Sequence, residues 1–223
     1  MIKYPLQADN IQKIYNGQKV VDLSLKVMHN EVLGIIGKNG SGKTTTLNML
    51  AGAIEPDFGT IYVENQADIT KNYKLKQYIA YLPEEREEVE NLTVKEYLKF
   101  IANVYKKGSK EIIPALEKVK ALEFMHTNFS ELSKGYQQRV LFAGVLIADS
   151  KIIILDEMTD GLDPVQRNEF YNIINEIKED KTIVISSHNM EEIKEICDRV
   201  CCIENGIIVK EFNKDNFNEI EIK

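Results

Sequence analysis

Residues Gly37-Lys38-Asn39-Gly40-Ser41-Gly42-Lys43-Thr44 fit the spacing GxxxxGK[ST], and the chemistry of that spacing is the cradling of a polyphosphate. Residues without a Cβ let consecutive backbone N–H groups curl inward around an anion, at the positive end of a following helix. Lys43 then supplies a point charge for the β- and γ-phosphates of ATP, and the Thr44 hydroxyl a hard oxygen ligand for Mg²⁺. Gly37, Asn39, Gly40, Ser41, Gly42, Lys43, Thr44 and Thr45 are the candidate ATP contacts. A second constellation follows downstream. Four large apolar residues, Ile152 to Leu155, run directly into Asp156 and Glu157. An acid closing a buried strand is suited to a metal ion, and the next acid can polarise an attacking water.

These residues need particular elements to hold them. Val32-Leu33-Gly34-Ile35-Ile36 reads as a buried strand feeding the glycine-rich loop, and residues 44–51 read as the start of the helix after it. The run before Asp156 fits a parallel strand covered on both faces, which puts the acid in the crevice where open α/β sheets bind ligands. Residues 182–185 read as a further strand, ending in Ser186-Ser187-His188. An antiparallel region is expected to about Val27, and another strand near residues 60–64. Residues 94–105, 112–122 and 139–148 space their apolar positions by three and four, which predicts a helical lobe inserted into the α/β body.

With these elements in order, Leu132-Ser133-Lys134-Gly135-Tyr136-Gln137-Gln138 resembles the signature sequence of ABC-type ATPases. The likeness covers essentially the whole chain. Asp160-Gly161-Leu162-Asp163-Pro164 is similar to that family's D-loop, His188 to its switch histidine, and Tyr15 to the aromatic that stacks on adenine. The resemblance implies a P-loop NTPase (RecA-like) core with an N-terminal antiparallel β region and an inserted helical subdomain. The whole chain, 1–223, would be one ATPase domain, with 1–83 and 150–223 as the body and 84–149 as the helical lobe.

The resemblance further implies two cassettes facing head to tail with ATP and Mg²⁺ sandwiched between them, as a homodimer or a heterodimer. Lys43, Glu157 and His188 would carry catalysis, and Thr44, Asp156 and Glu84 would hold the metal. Ser133, Gly135, Gln137 and Asp163 would reach the nucleotide bound by the other cassette. Three of these residues have ordinary readings as well. Tyr15 fits a core ring, His188 a polar cap on a buried strand, and Ser133 a helix N-cap.

Two positions depart from the family pattern. Glu84 stands where a glutamine is usual, which resembles a subset of bacterial export ATPases for sodium, antibiotics, peptides and lantibiotic immunity. Met158 stands where a proline commonly follows the glutamate. Residues 84–90 hold five glutamates and one arginine, an acidic run that could receive basic residues of a transmembrane chain and that also reads as a solvated loop.

Composition excludes some classes. A net charge of −7 argues against a nucleic-acid groove. No apolar stretch approaches the ~20 residues of a spanning helix, and the polar start offers no secretory segment, so the expected location is cytoplasmic, peripheral on the inner face of the membrane. Cys197, Cys201 and Cys202 lack ligand-spaced histidines and read as buried free thiols, the last two on opposite faces of a strand before the Asn205-Gly206 hairpin signal. The expected function is the ATPase subunit of an ABC transporter, an exporter driving a separate transmembrane permease. A soluble mechanical ATPase of the same family is the alternative, and a regulatory nucleotide-binding subunit with little turnover is disfavoured by the full set of motif residues.

Overall fold

The computed structural model describes residues 4–84 and 91–220. The chain divides into two compact units, one formed by Met1–Glu84, Lys151–Met158 and Ile174–Lys223, the other by Glu85–Ser150 and Thr159–Ile173.

The first unit carries two sheets. In the antiparallel one, β1 (Leu6–Tyr15) pairs with β2 (Gln18–Val27) across the tight turn at Asn16-Gly17. The sequence predicts an antiparallel region here, to about Val27. Two further strands extend the sheet, because β1 also pairs with β4 (Phe58–Val63), which pairs with β5 (Gln66–Ala67). Alternate residues of β1 and β2, among them Leu6, Ala8, Leu23, Leu25 and Val27, are buried, the period expected of a sheet with one covered face.

The second sheet positions the chemistry. Its order is β10-β9-β3-β8-β7-β6. All neighbours are parallel except the hairpin of β9 (Arg199–Glu204) and β10 (Ile207–Asn213). At its centre β3 (Val32–Ile36), β7 (Ile152–Asp156) and β8 (Thr182–Ser186) are buried at every position. That is why their sequences are unbroken apolar runs rather than alternations. The strand β6 (Ile79–Leu82), not anticipated from the sequence, pairs with β7, and the Glu84 segment follows it. Helix α1 (Lys43–Leu50) follows β3, and the short α6 (Met190–Ile196) follows β8. Asn189 caps α6 by accepting the Glu191 N–H at 2.9 Å.

The second unit is helical, with α2 (Val94–Val104), α3 (Ile112–Lys118), α4 (Lys134–Ala148) and the part of α5 (Pro164–Ile177) up to Ile173. A full capping box, Thr93 with Glu96, fixes the start of α2. The predicted helix over 112–122 is shorter than expected. It stops at Lys118 because Lys120 turns left-handed (φ 54°) and the Ala121 N–H reaches back to the Leu116 carbonyl at 2.9 Å, a Schellman closure. Phe142 and Phe170, both buried, meet with ring centres 5.1 Å apart and join α4 to α5. The buried Arg139 reinforces that seam, bonding the Val119 carbonyl at 2.8 Å and pairing with Glu169. No helix among the described residues is long and apolar enough to cross a membrane.

Candidate active site

The glycine-rich loop leaves the carboxyl end of β3 and is braced from outside by backbone. The Gly206 N–H donates to the Ser41 carbonyl at 2.8 Å, and the Gly206 carbonyl accepts the Asp22 N–H at 2.8 Å. Two of the loop's glycines are sterically required. A Cβ on Gly37 would stand 2.3 Å from the Ile203 carbonyl oxygen and 2.6 Å from the Ser41 hydroxyl. Gly42, the residue before α1, has φ 106° and would drive a Cβ to 2.8 Å from the Val20 carbonyl oxygen.

Lys43, only 6% exposed, folds back over the loop. Its ammonium donates to the Gly37 carbonyl at 3.0 Å and the Lys38 carbonyl at 3.4 Å, and stands 3.7 Å from Glu157 Oε1. The other Glu157 oxygen lies 2.8 Å from His188 Nδ1, a hydrogen bond when that nitrogen carries the proton. Glu157 therefore sits between a cation and the imidazole at the ends of β3, β7 and β8.

Asp156 is fully buried at the end of β7. Burial pushes its carboxyl above the usual carboxylate range, against the hydrogen bond from Ser186 and the nearby Thr44 hydroxyl; Glu157 pushes the same way as burial, and Lys43 the other way. Its Oδ2 has no hydrogen-bond partner, and neither does the buried hydroxyl of Ser41. Buried polar atoms are normally paired, so these two oxygens and the loop that a Cβ would fill fit a polyphosphate with its metal ion. Burial, then the Asp156 and Glu84 charges, raise the phenol of Tyr81, which donates to Asn48 at 3.1 Å; Glu84 is exposed.

Thus the body brings together Gly37, Asn39, Gly40, Ser41, Gly42, Lys43, Thr44 and Thr45 with Asp156, Glu157 and His188. Tyr15 closes β1 with 45% of its surface exposed and the Lys13 ammonium 5.6 Å from its ring centre, so it is not a core ring. In the helical unit, Ser133 occupies the N-cap position of α4, yet its hydroxyl makes no bond to the helix. Gly135 lies under the Gln166 side chain, 2.8 Å from where its Cβ would be, and Asp163 accepts the Gln166 N–H at 2.9 Å. The Gln137 side-chain amide donates to the Phe129 carbonyl at 3.2 Å. The acidic run beyond Glu84, 85–90, lies outside the described residues. Sequence reasoning passes over one side chain of this cluster, Ser186, whose only signal is a hydroxyl closing an apolar strand.

The family pattern described as ABC transporter matches residues 20–160. The chain belongs to the ABC transporter family. It is an ATPase cassette of that family. Among similar proteins, an uncharacterized ABC transporter ATP-binding protein of Methanocaldococcus jannaschii is 36% identical over 92% of this chain and 76% of its own length. The ABC transporter ATP-binding protein NatA of Bacillus subtilis is 36% identical over 90% and 86%. The SkfA peptide export ATP-binding protein SkfE of the same organism is 33% identical over 96% and 91%. Among solved structures, an ATP-binding subunit of an ABC transporter superposes with a TM-score of 0.87 at 26% identity, covering 95% of this chain and 90% of that one. The ADP conformation of an ABC transporter cassette gives 0.84 at 25% identity, covering 99% and 95%.

Proposed function

We propose that this cassette is the energy-coupling subunit of an exporter, binding ATP between two cassettes and hydrolysing it to drive a separate transmembrane permease. The observation that carries the reading is Glu157, held between Lys43 and His188 beside the buried Asp156 at one rim of the parallel sheet. The loop amides and Lys43 bind the β- and γ-phosphates. Glu157 takes up the hydrogen bond of an attacking water, and His188 orients the Glu157 carboxylate through Nδ1. Thr44, Asp156 and Glu84 would supply the oxygen ligands for Mg²⁺, which would neutralise charge on the phosphate oxygens. Tyr15, exposed beside Lys13, offers a stacking face to adenine.

Ser133, Gly135, Gln137 and Asp163 face the nucleotide of the opposing cassette. Since this chain carries both halves of the composite site, two copies are sufficient. Phosphate-dependent contacts make closure reversible, because hydrolysis removes the group that holds the two cassettes together. Residues 1–223 act as one ATPase domain, peripheral on the cytoplasmic face of the membrane. Export is supported by Glu84 in place of glutamine and by the peptide-export relative SkfE.

The test is affinity purification of the tagged chain from detergent-solubilised native membranes, with Mg-ATPase activity assayed beside a Glu157→Gln variant. A polytopic membrane protein that co-purifies with Glu157-dependent turnover is the expected result. A soluble partner, or a chain that never sediments with membranes, would instead identify a soluble mechanical ATPase.

A further inference from the structure

We infer that Ser186 is a positioning residue for catalysis, a single buried hydroxyl that sets the Asp156 carboxylate and the Glu157 backbone at once. The inference rests on the ATPase reading above and assigns a role to a residue that reading leaves without one. Ser186 is the last residue of β8, directly opposite Asp156 in the parallel β7/β8 register, and is 2% exposed. Its hydroxyl donates to Asp156 Oδ1 and accepts the Glu157 N–H at 2.9 Å. Its one donor and one of its two acceptor sites thus serve two consecutive acids.

Geometry explains why such a clamp is needed. Glu157 has φ 46°, the left-handed region that a residue with a side chain rarely adopts. A strand that continued in extended conformation would turn the next side chain to the opposite face. The left-handed step at Glu157 instead accompanies a carboxylate that reaches both Lys43 and His188. The Glu157 N–H, at the end of the strand, is tied to the Ser186 hydroxyl, and that bond holds the turn in place. The other bond orients Asp156, leaving Oδ2 without a protein partner. Outer partners of this kind fix where a ligand or base points without touching the reacting atoms.

The experiment compares wild type, Ser186→Ala, Ser186→Thr and Glu157→Gln as purified full-length protein. It measures kcat, KM for MgATP, the stoichiometry of fluorescent ATP-analogue binding, and Mn²⁺ affinity in the presence of ADP. Removing the hydroxyl is expected to lower kcat about ten- to hundredfold and weaken Mn²⁺ binding, with analogue stoichiometry unchanged. Ser186→Thr, which keeps the hydroxyl, should recover most of the lost turnover. Ser186→Ala with wild-type kcat and Mn²⁺ affinity, beside an inactive Glu157→Gln, would overturn the role of Ser186 alone. A Ser186→Ala defect matched by an equal loss of binding stoichiometry would overturn it too, as a folding effect. Undiminished turnover of Glu157→Gln would remove the catalytic reading and this inference with it.

Discussion

Replacing Glu157 by glutamine should do two separable things. Glu157 Oε1 is 3.7 Å from the Lys43 ammonium, with side chains only 9% and 7% exposed. At an effective dielectric constant of 20, two unit charges at that distance attract by about 4 kcal/mol, and desolvation leaves a fraction of it, ~1–2 kcal/mol, as net interaction. ATP has to replace that contact when its phosphates reach Lys43. Without the carboxylate the exchange cost disappears, so ATP should bind roughly ten times more tightly. The same change removes the group that polarises water, worth about 10²–10⁴ in rate. Fluorescent-analogue titration and a phosphate-release assay measure the two effects on one preparation. A variant that binds ATP no tighter than wild type would refute the competition between Glu157 and phosphate for Lys43. One that turns over at the wild-type rate would refute the base.

Other outcomes follow from packing and burial. Gly206→Ala should destabilise the protein by more than about 1 kcal/mol and weaken ATP binding, because the residue has φ 81°, its Cβ would stand 2.2 Å from the Val20 carbonyl oxygen, and it braces Ser41; unchanged urea midpoint and affinity would contradict this. Arg199→Leu strips the buried Glu31 of its 2.7 Å partner and should cost about 3 kcal/mol in urea unfolding, with a loss under about 0.5 kcal/mol counting against the ion pair. Burial pushes the Cys201 thiol up to about 12 and that of Cys197 well above its usual range, so at pH 8 only about one part in 10⁴ of Cys201 is thiolate. Ellman's reagent should therefore label the native protein slowly, Cys202 first, and all three thiols in guanidinium. Three rapid equivalents in the native state would contradict the burial.

What the sequence conveyed well was local. The glycine-rich loop, the apolar runs of β3, β7 and β8 and the acids at the end of β7 are legible because fully buried parallel strands need uninterrupted apolar residues. The end of α3 was misjudged because Lys120 is an ordinary residue in a left-handed cap, where glycine would have announced the stop. Strand β6 was missed for a different reason. It is four residues long, and its partner β7 is some seventy residues away in sequence, so nothing local marks it. Ser186 stayed hidden because its importance is a matter of register. Only the pairing of β8 with β7 sets its hydroxyl opposite Asp156.

ATP is expected to close two cassettes around a composite site. Light scattering coupled to gel filtration, run on Glu157→Gln with and without MgATP, tests it directly. A single chain has a mass of 25.5 kDa. This mass should double when ATP is added, and Ser133→Arg in the same background should abolish the doubling while ATP still binds. A Glu157→Gln protein that is saturated with ATP yet remains at the mass of one chain would contradict it.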